Sequence, residues 1–135
     1  MAMNLNFNPE LKEPYPINNT LQLRRSRKED TEALAEFNGR THSENELDKI
    51  RLQNWTRDML SGQHPAHRPD DFTLVEETAT GRIVSAMDLI SQIWLYDGIP
   101  IKVGRPEAVG TEMEYRHQGL VRLQFEVVHA WSKAR

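Results

Sequence analysis

Val109 to Trp131, VGTEMEYRHQGLVRLQFEVVHAW, brings a strand end, a tight turn at Arg116-His117-Gln118-Gly119 and an amphipathic helix into one stretch. Leu120, Leu123, Val127, Ala130, Trp131 and Ala134 recur at spacings of three and four, so they share one helical face, and the helix is expected to begin at or just after Gly119. A helix start leaves its first backbone N–H groups without partners and gathers the positive ends of the peptide dipoles, which suits an anion. Gly119 lets another molecule approach the main chain closely. Arg116 and Arg122 flank it with the bidentate donors that match phosphate oxygens. An ordinary solvated turn accounts for the same residues.

Upstream of that stretch the chain reads as an antiparallel meander. Phe72 to Glu77 is a strand, Thr78 to Gly81 a turn, and Arg82 to Tyr96 a long strand. Ile83, Met87, Leu89, Ile93 and Leu95 lie on one parity of the long strand, and Val84, Ala86, Ile90, Trp94 and Tyr96 on the other. Apolar residues on both faces predict a central strand covered on two sides. Asp97-Gly98 is a hairpin signal. The next strand starts at Ile99, is expected to be interrupted near Gly104-Arg105-Pro106, and resumes from Glu107 to Thr111, with Pro106 and Gly110 pointing to a bulge or an unpaired edge.

Further toward the N-terminus, residues 1–20 carry Pro9, Pro14 and Pro16 with little periodicity and read as an extended arm. Leu21-Gln22-Leu23 alternates as a short strand. Arg24-Arg25-Ser26-Arg27-Lys28 is the most basic run, and Ser26 with Glu29 has capping-box spacing, so the run reads as a solvated strand-to-helix junction. The first helix is expected from Lys28 to Gly39, burying Leu34 and Phe37. A second capping box, Ser43 with Glu46, opens another helix through Leu47, Ile50, Trp55 and Met59, which Gly62 is placed to end. His64 and His67, three apart, could bind a metal, but they sit in a proline-punctuated loop without an acidic or Cys partner at ligand spacing, so no metal is expected.

The 135 residues suit one domain, and 38% apolar with 27% charged residues describes a globular chain. A formal charge of -3 argues against a dominant nucleic-acid partner, and the Arg24 to Lys28 run lacks interleaved aromatics. No stretch approaches a membrane span or a signal-peptide core. The absence of Cys excludes disulfides and thiol chemistry, and a cytoplasmic address is expected.

Arg116-His117-Gln118-Gly119-Leu120-Val121 resembles the pyrophosphate-binding motif of the GCN5-related N-acetyltransferases (the GNAT superfamily), a basic residue or Gln followed by x-x-Gly-x-Gly/Ala. Met113-Glu114-Tyr115 sits where that family often has Pro-Glu-Tyr. Val121 departs from the pattern, standing where the second small residue belongs. The resemblance implies an α+β fold in α/β/α layers, a mostly antiparallel mixed sheet flanked by helices in the order β-α-α-β-β-β-α. It implies acetyl-CoA as co-substrate, with the amides of Gln118 to Arg122 on its pyrophosphate and the main chain near Val109 and Thr111 offered to the pantetheine arm. The implied binding set is thus Val109, Thr111, Arg116, His117, Gln118, Gly119, Leu120, Val121 and Arg122.

Family members continue with another strand, a further helix and usually a hairpin. The chain is most similar to the N-terminal domain of multi-domain acetyltransferases of the intracellular-survival type, so residues 21–135 are expected to be the front portion of an acetyl-CoA-binding domain, an incomplete GNAT-like fold. The resemblance implies acetyl transfer to a primary amine by direct attack. Glu107 and Glu112 are the candidate bases for the amine proton, and each also reads as an ordinary surface carboxylate. An open half-cleft gives up near-attack geometry, so the isolated chain is expected to be inactive. The alternative is a non-catalytic module that keeps the fold and binds CoA weakly or not at all. An open sheet edge and a partly uncovered last helix imply self-association as a two-fold dimer, with helix contact favoured because Pro106 and Gly110 hinder edge pairing.

Overall fold

A computed structural model describes residues 13–135. The arm expected over residues 1–20 falls partly outside them. Its described end holds β1 (Tyr15–Pro16), which pairs antiparallel with β2 (Leu21–Arg25). A 3-10 turn (Lys28–Asp30) leads to α1 (Thr31–His42) and α2 (Glu46–Met59). β3 (Phe72–Glu77), β4 (Ile83–Tyr96) and β5 (Ile99–Thr111) follow, then a second 3-10 turn (Met113–Tyr115) and α3 (Leu120–Ala134). The sheet order is β1-β2-β3-β4-β5, and each pairing is antiparallel.

Two apolar clusters put α3 on one face of the sheet and α1 with α2 on the other. Leu120, Leu123, Val127, Val128 and Trp131 of α3 pack on Leu21, Leu23, Val75, Val84, Met87 and Leu89. Leu34, Phe37, Met59 and Leu60 pack on Phe72, Leu74, Ile83, Ala86 and Ile90. Each such side chain contributes about 1.5–3 kcal/mol when fully buried. The apolar stripe of α3 is therefore covered by the sheet from Leu120 to Trp131, with Trp131 only 8% exposed and the Arg25 guanidinium 4.1 Å from its ring centre, and Ala134 of the last turn is exposed. That corrects the expectation of a partly uncovered last helix.

The helix starts differ from those expected. Ser26 caps nothing: its hydroxyl donates to the Pro69 carbonyl (2.6 Å) and accepts from the Phe72 amide (3.1 Å), tying two segments together. Asp30 takes the capping part, accepting the Arg27 N–H at 2.7 Å. α2 is capped by Asn45, whose side chain accepts from the Asp48 amide at 2.9 Å, while Ser43 bonds back to the Gly39 carbonyl. Asn45 wins because the extended backbone there, φ -152 and ψ 172, directs its carbonyl oxygen onto the first turn. The basic run is likewise used inside the fold, since Arg24 pairs with both Asp30 (2.8 Å) and Glu76 (2.9 Å). Two carboxylates hold the Arg24 guanidinium well above its ordinary value, by the hydrogen bond to Asp30 first, against the opposing effect of burial.

Asp97 and Gly98 turn the β4–β5 hairpin with φ of 48 and 78, the left-handed pair that a tight two-residue loop requires. β5 is not interrupted near Gly104-Arg105-Pro106. It pairs with β4 through that segment, and the irregularity falls later, between the Ala86↔Gly110 and Asp88↔Glu107 pairs, where Ala108 adopts φ 47. The bulge absorbs one extra residue and bends the strand end. Among the described residues no helix is long and apolar enough to cross a membrane, and no group of three His, Asp or Glu is placed to hold a metal.

Candidate functional site

After the bulge, β5 delivers Val109, Gly110 and Thr111 to a cleft of about 310 Å³ that also takes in Thr41 and His42 from the end of α1, Arg116 from the turn and Val121 from α3. β5 stays paired with β4 to its last residue, Thr111, and buried polar groups tie α3 to both strands beside the cleft. Gln124, fully buried on the sheet side of α3, donates to Ser85 Oγ (2.7 Å) and accepts from Thr73 Oγ1 (2.9 Å). Ser85 Oγ lies 2.9 Å from the Gly110 carbonyl and 2.8 Å from Thr111 Oγ1. A satisfied buried network of this kind fixes one geometry, since breaking it strands polar groups away from water.

The turn that follows places the helix start in the open. His117 has φ 64 and Gly119 φ 76, so the chain doubles back sharply into α3. Among the described residues no side chain caps α3, its first turn carries no acidic residue, and the Leu123 amide makes the first bond, 3.0 Å to the Gly119 carbonyl. The amides of Leu120, Val121 and Arg122 thus precede the helical ladder, at the positive end of a 15-residue helix. A Cβ built on Gly119 would meet nothing within 4 Å, so the space over the turn is open.

Among the residues expected to bind the co-substrate, Val109, Thr111, Arg116 and Val121 come together as cleft lining. His117, Gln118, Gly119 and Arg122 are exposed around the helix start, and the Leu120 side chain turns into the core, leaving its amide as the relevant group. Arg116 Nε donates to the Thr111 carbonyl at 3.2 Å, which ties the turn to the strand end. Val121 is half-buried and takes part of the space that a smaller residue would leave.

The two candidate carboxylates sit apart from each other. Glu107 lies before the bulge, 43% exposed and 3.2 Å from Arg105 Nε, and does not line the cleft. Glu112 follows Thr111 and is 12% exposed, accepting from Arg40 Nε at 2.9 Å with Arg82 at 3.8 Å. His42 was not singled out from the sequence. Its ring lies against Gly110, where a Cβ would come within 2.8 Å of Nε2, and Nε2 is buried with no hydrogen-bond partner among the described residues. Burial lowers the His42 pKa, opposed by a hydrogen bond to the Ala108 backbone, so the ring is neutral at neutral pH. Nothing local marks His42 in the sequence, because its relevance depends on β5 arriving beside the end of α1. Gln124 did leave a signal, standing within the apolar stripe between Leu120 and Val127.

His64 and His67 stand edge to face with 6.4 Å between ring centres, and among the described residues they belong to no group of three placed to hold a metal. His67 is buried against Asp88, with Nδ1 2.7 Å from the Met59 carbonyl and Nε2 bonded to Asp88 Oδ1. That pair anchors the proline-punctuated loop to β4.

No protein-family model matches the sequence, and no curated protein matches it either. Solved structures do. The chain is similar to glucosamine-6-phosphate N-acetyltransferase from Arabidopsis thaliana, at 18% identity and TM-score 0.58 over 85% of this chain and 76% of that one. It is similar to a GCN5-related N-acetyltransferase from Ralstonia eutropha, at 15% identity and TM-score 0.61 over 85% and 77%. It is also similar to Saccharomyces cerevisiae N-myristoyltransferase with bound myristoyl-CoA, at 14% identity and TM-score 0.63, over 94% of this chain but 32% of that one. At these identities the likeness establishes the fold.

Proposed function

We propose that this chain, which has the GNAT fold, binds acetyl-CoA along the end of β5 and the N-terminus of α3 and serves acetyl transfer to an amine. The observation that carries the reading is the uncapped, open start of α3 beside a bulged strand end. The amides of Leu120, Val121 and Arg122 supply donors to the pyrophosphate, and Arg116 and Arg122 add charge. The main chain of Val109 to Thr111 supplies hydrogen bonds to the pantetheine arm.

In the transfer, the amine nitrogen attacks the thioester carbonyl carbon. A C–N bond forms, the C–S bond breaks, and the CoA thiolate leaves with the electron pair while the amine gives up a proton. His42, neutral and at the cleft wall, is better suited to take that proton than Glu112, which Arg40 and Arg82 already neutralise. A CoA-binding module without turnover is the second reading, favoured by the ion-paired state of both candidate carboxylates and by Val121 in the cleft.

Calorimetric titration with acetyl-CoA tests the binding. One-to-one binding is expected, weakened at least tenfold by Gly119→Asp, which puts a like charge against the phosphate. Gly119→Asn, which tolerates the same left-handed backbone without the charge, should keep most of the affinity. Absence of binding, or equal affinity in Gly119→Asp, would overturn the site.

A further inference from the structure

The β4–β5 hairpin outgrows the rest of the sheet. β3 accompanies β4 only as far as Asp88. Beyond it the Leu89 amide bonds the Asp71 carbonyl (3.0 Å) and the Ser91 amide bonds the Ala66 carbonyl (3.3 Å). Among the described residues, only β5 lies beside the strand from Gln92 to Tyr96. This two-stranded ribbon is apolar and exposed, with Ile93 at 64%, Trp94 at 51%, Leu95 at 73%, Tyr96 at 73%, Ile99 at 62% and Ile101 at 45%. Trp94 and Tyr96 share the parity of Ile90, on the side of α1 and α2, and their cross-strand partners are Ile101 and Ile99. One face of the ribbon therefore gathers four large apolar side chains with no charge among them.

A bare two-stranded ribbon is marginal in water, and monomers seldom leave such a surface uncovered. We infer that this face packs against the same face of a second copy of the chain across a two-fold axis. The partner must be apolar here, because the face offers no charge to pair, and a second copy presents the required surface by symmetry. The area fits as well. With an aromatic side chain presenting ~150–250 Å², the four residues expose on the order of 500 Å². That is close to the apolar three fifths of the ~800 Å² each partner contributes to a standard interface. Strand-to-strand joining along the outer edge of β5 is the less suitable geometry, since Pro100 and Pro106 remove donors from that strand. A lipid surface suits the ribbon poorly, because Asp97 stands at its tip and the chain carries a net charge of -3.

Sedimentation velocity of the 135-residue chain over a dilution series is the test. A reversible monomer–dimer equilibrium is expected. Trp94→Glu and Ile101→Glu should each weaken it at least tenfold. Leu47→Glu, at a position 56% exposed on α2, should leave it unchanged. All three positions are exposed, so thermal melting of the variants should stay near that of the parent at a concentration where each is monomeric. A monomer at every concentration would overturn the inference, as would a dimer that persists in the Trp94→Glu, Ile101→Glu double variant. Capture of the monomer by anionic phospholipid vesicles, lost in that double variant, would reassign the face to lipid.

Discussion

At His42, removal from water costs the imidazolium more than the neutral ring, and the hydrogen bond to the Ala108 backbone does not repay it, so the pKa falls below the ordinary 6.5. The ring is held there by Gly110, the residue whose missing side chain leaves room for Nε2. The expected outcome in an NMR titration is a His42 midpoint below the ordinary imidazole value, with a shift of the His42 resonances when acetyl-CoA is added. An unshifted midpoint, or resonances indifferent to acetyl-CoA, would remove His42 from the cleft chemistry. Neither Glu107 nor Glu112 was distinguishable from a surface carboxylate in the sequence. Glu112 pairs with Arg40, 72 residues away, and with Arg82 just ahead of β4, whereas Glu107 pairs with Arg105 of its own strand.

The elements show how local rules compete. Two Ser residues had capping-box spacing, and neither caps a helix, because the backbone entering each helix gives that role to a neighbour. Asn45→Ala should cost about 1 kcal/mol in urea unfolding, the usual value for losing a cap, while Glu46→Ala should cost little. Equal losses at the two positions would restore the Ser43–Glu46 box. In β5 the glycine and proline near residue 105 suggested a break, but pairing with β4 carries the strand past them, and the ladder yields at Ala108 instead. Proline disturbs a strand only where its N–H is needed, and an edge strand needs donors on one side alone.

For the whole molecule, the buried His67–Asp88 pair links pH to stability. Burial opposes the charge on His67, but the hydrogen bond and charge of Asp88 outweigh it and raise His67; burial raises Asp88 too. Both directions mean that the folded pair holds a proton the unfolded chain would release. Asp71 adds to this, itself bonded to Arg135 and close to Arg68. Above the ordinary imidazole value of 6.5 the folded state therefore binds more protons than the unfolded, and stability is expected to fall as pH rises through the raised pKa of His67. Thermal melting from pH 6 to 9 should show that decline, and Asp88→Asn should flatten it. A midpoint that climbs over this range would contradict the assignment.

By itself the sequence determined the order of elements from Leu21 onward, the hairpin at Asp97-Gly98 and the start of α3 after Gly119, but not the short β1 at Tyr15–Pro16. Each is set by backbone preference or by a period within one segment. The tertiary structure alone decided that Arg24 is spent on Asp30 and Glu76, that His42 reaches the cleft, that Gln124 and Ser85 tie α3 to the end of β5, and that, among the described residues, the large exposed apolar surface is the β4–β5 ribbon. Those facts depend on which distant segments meet, and on where β3 stops while β4 continues, which is a matter of strand register and packing that no local pattern records.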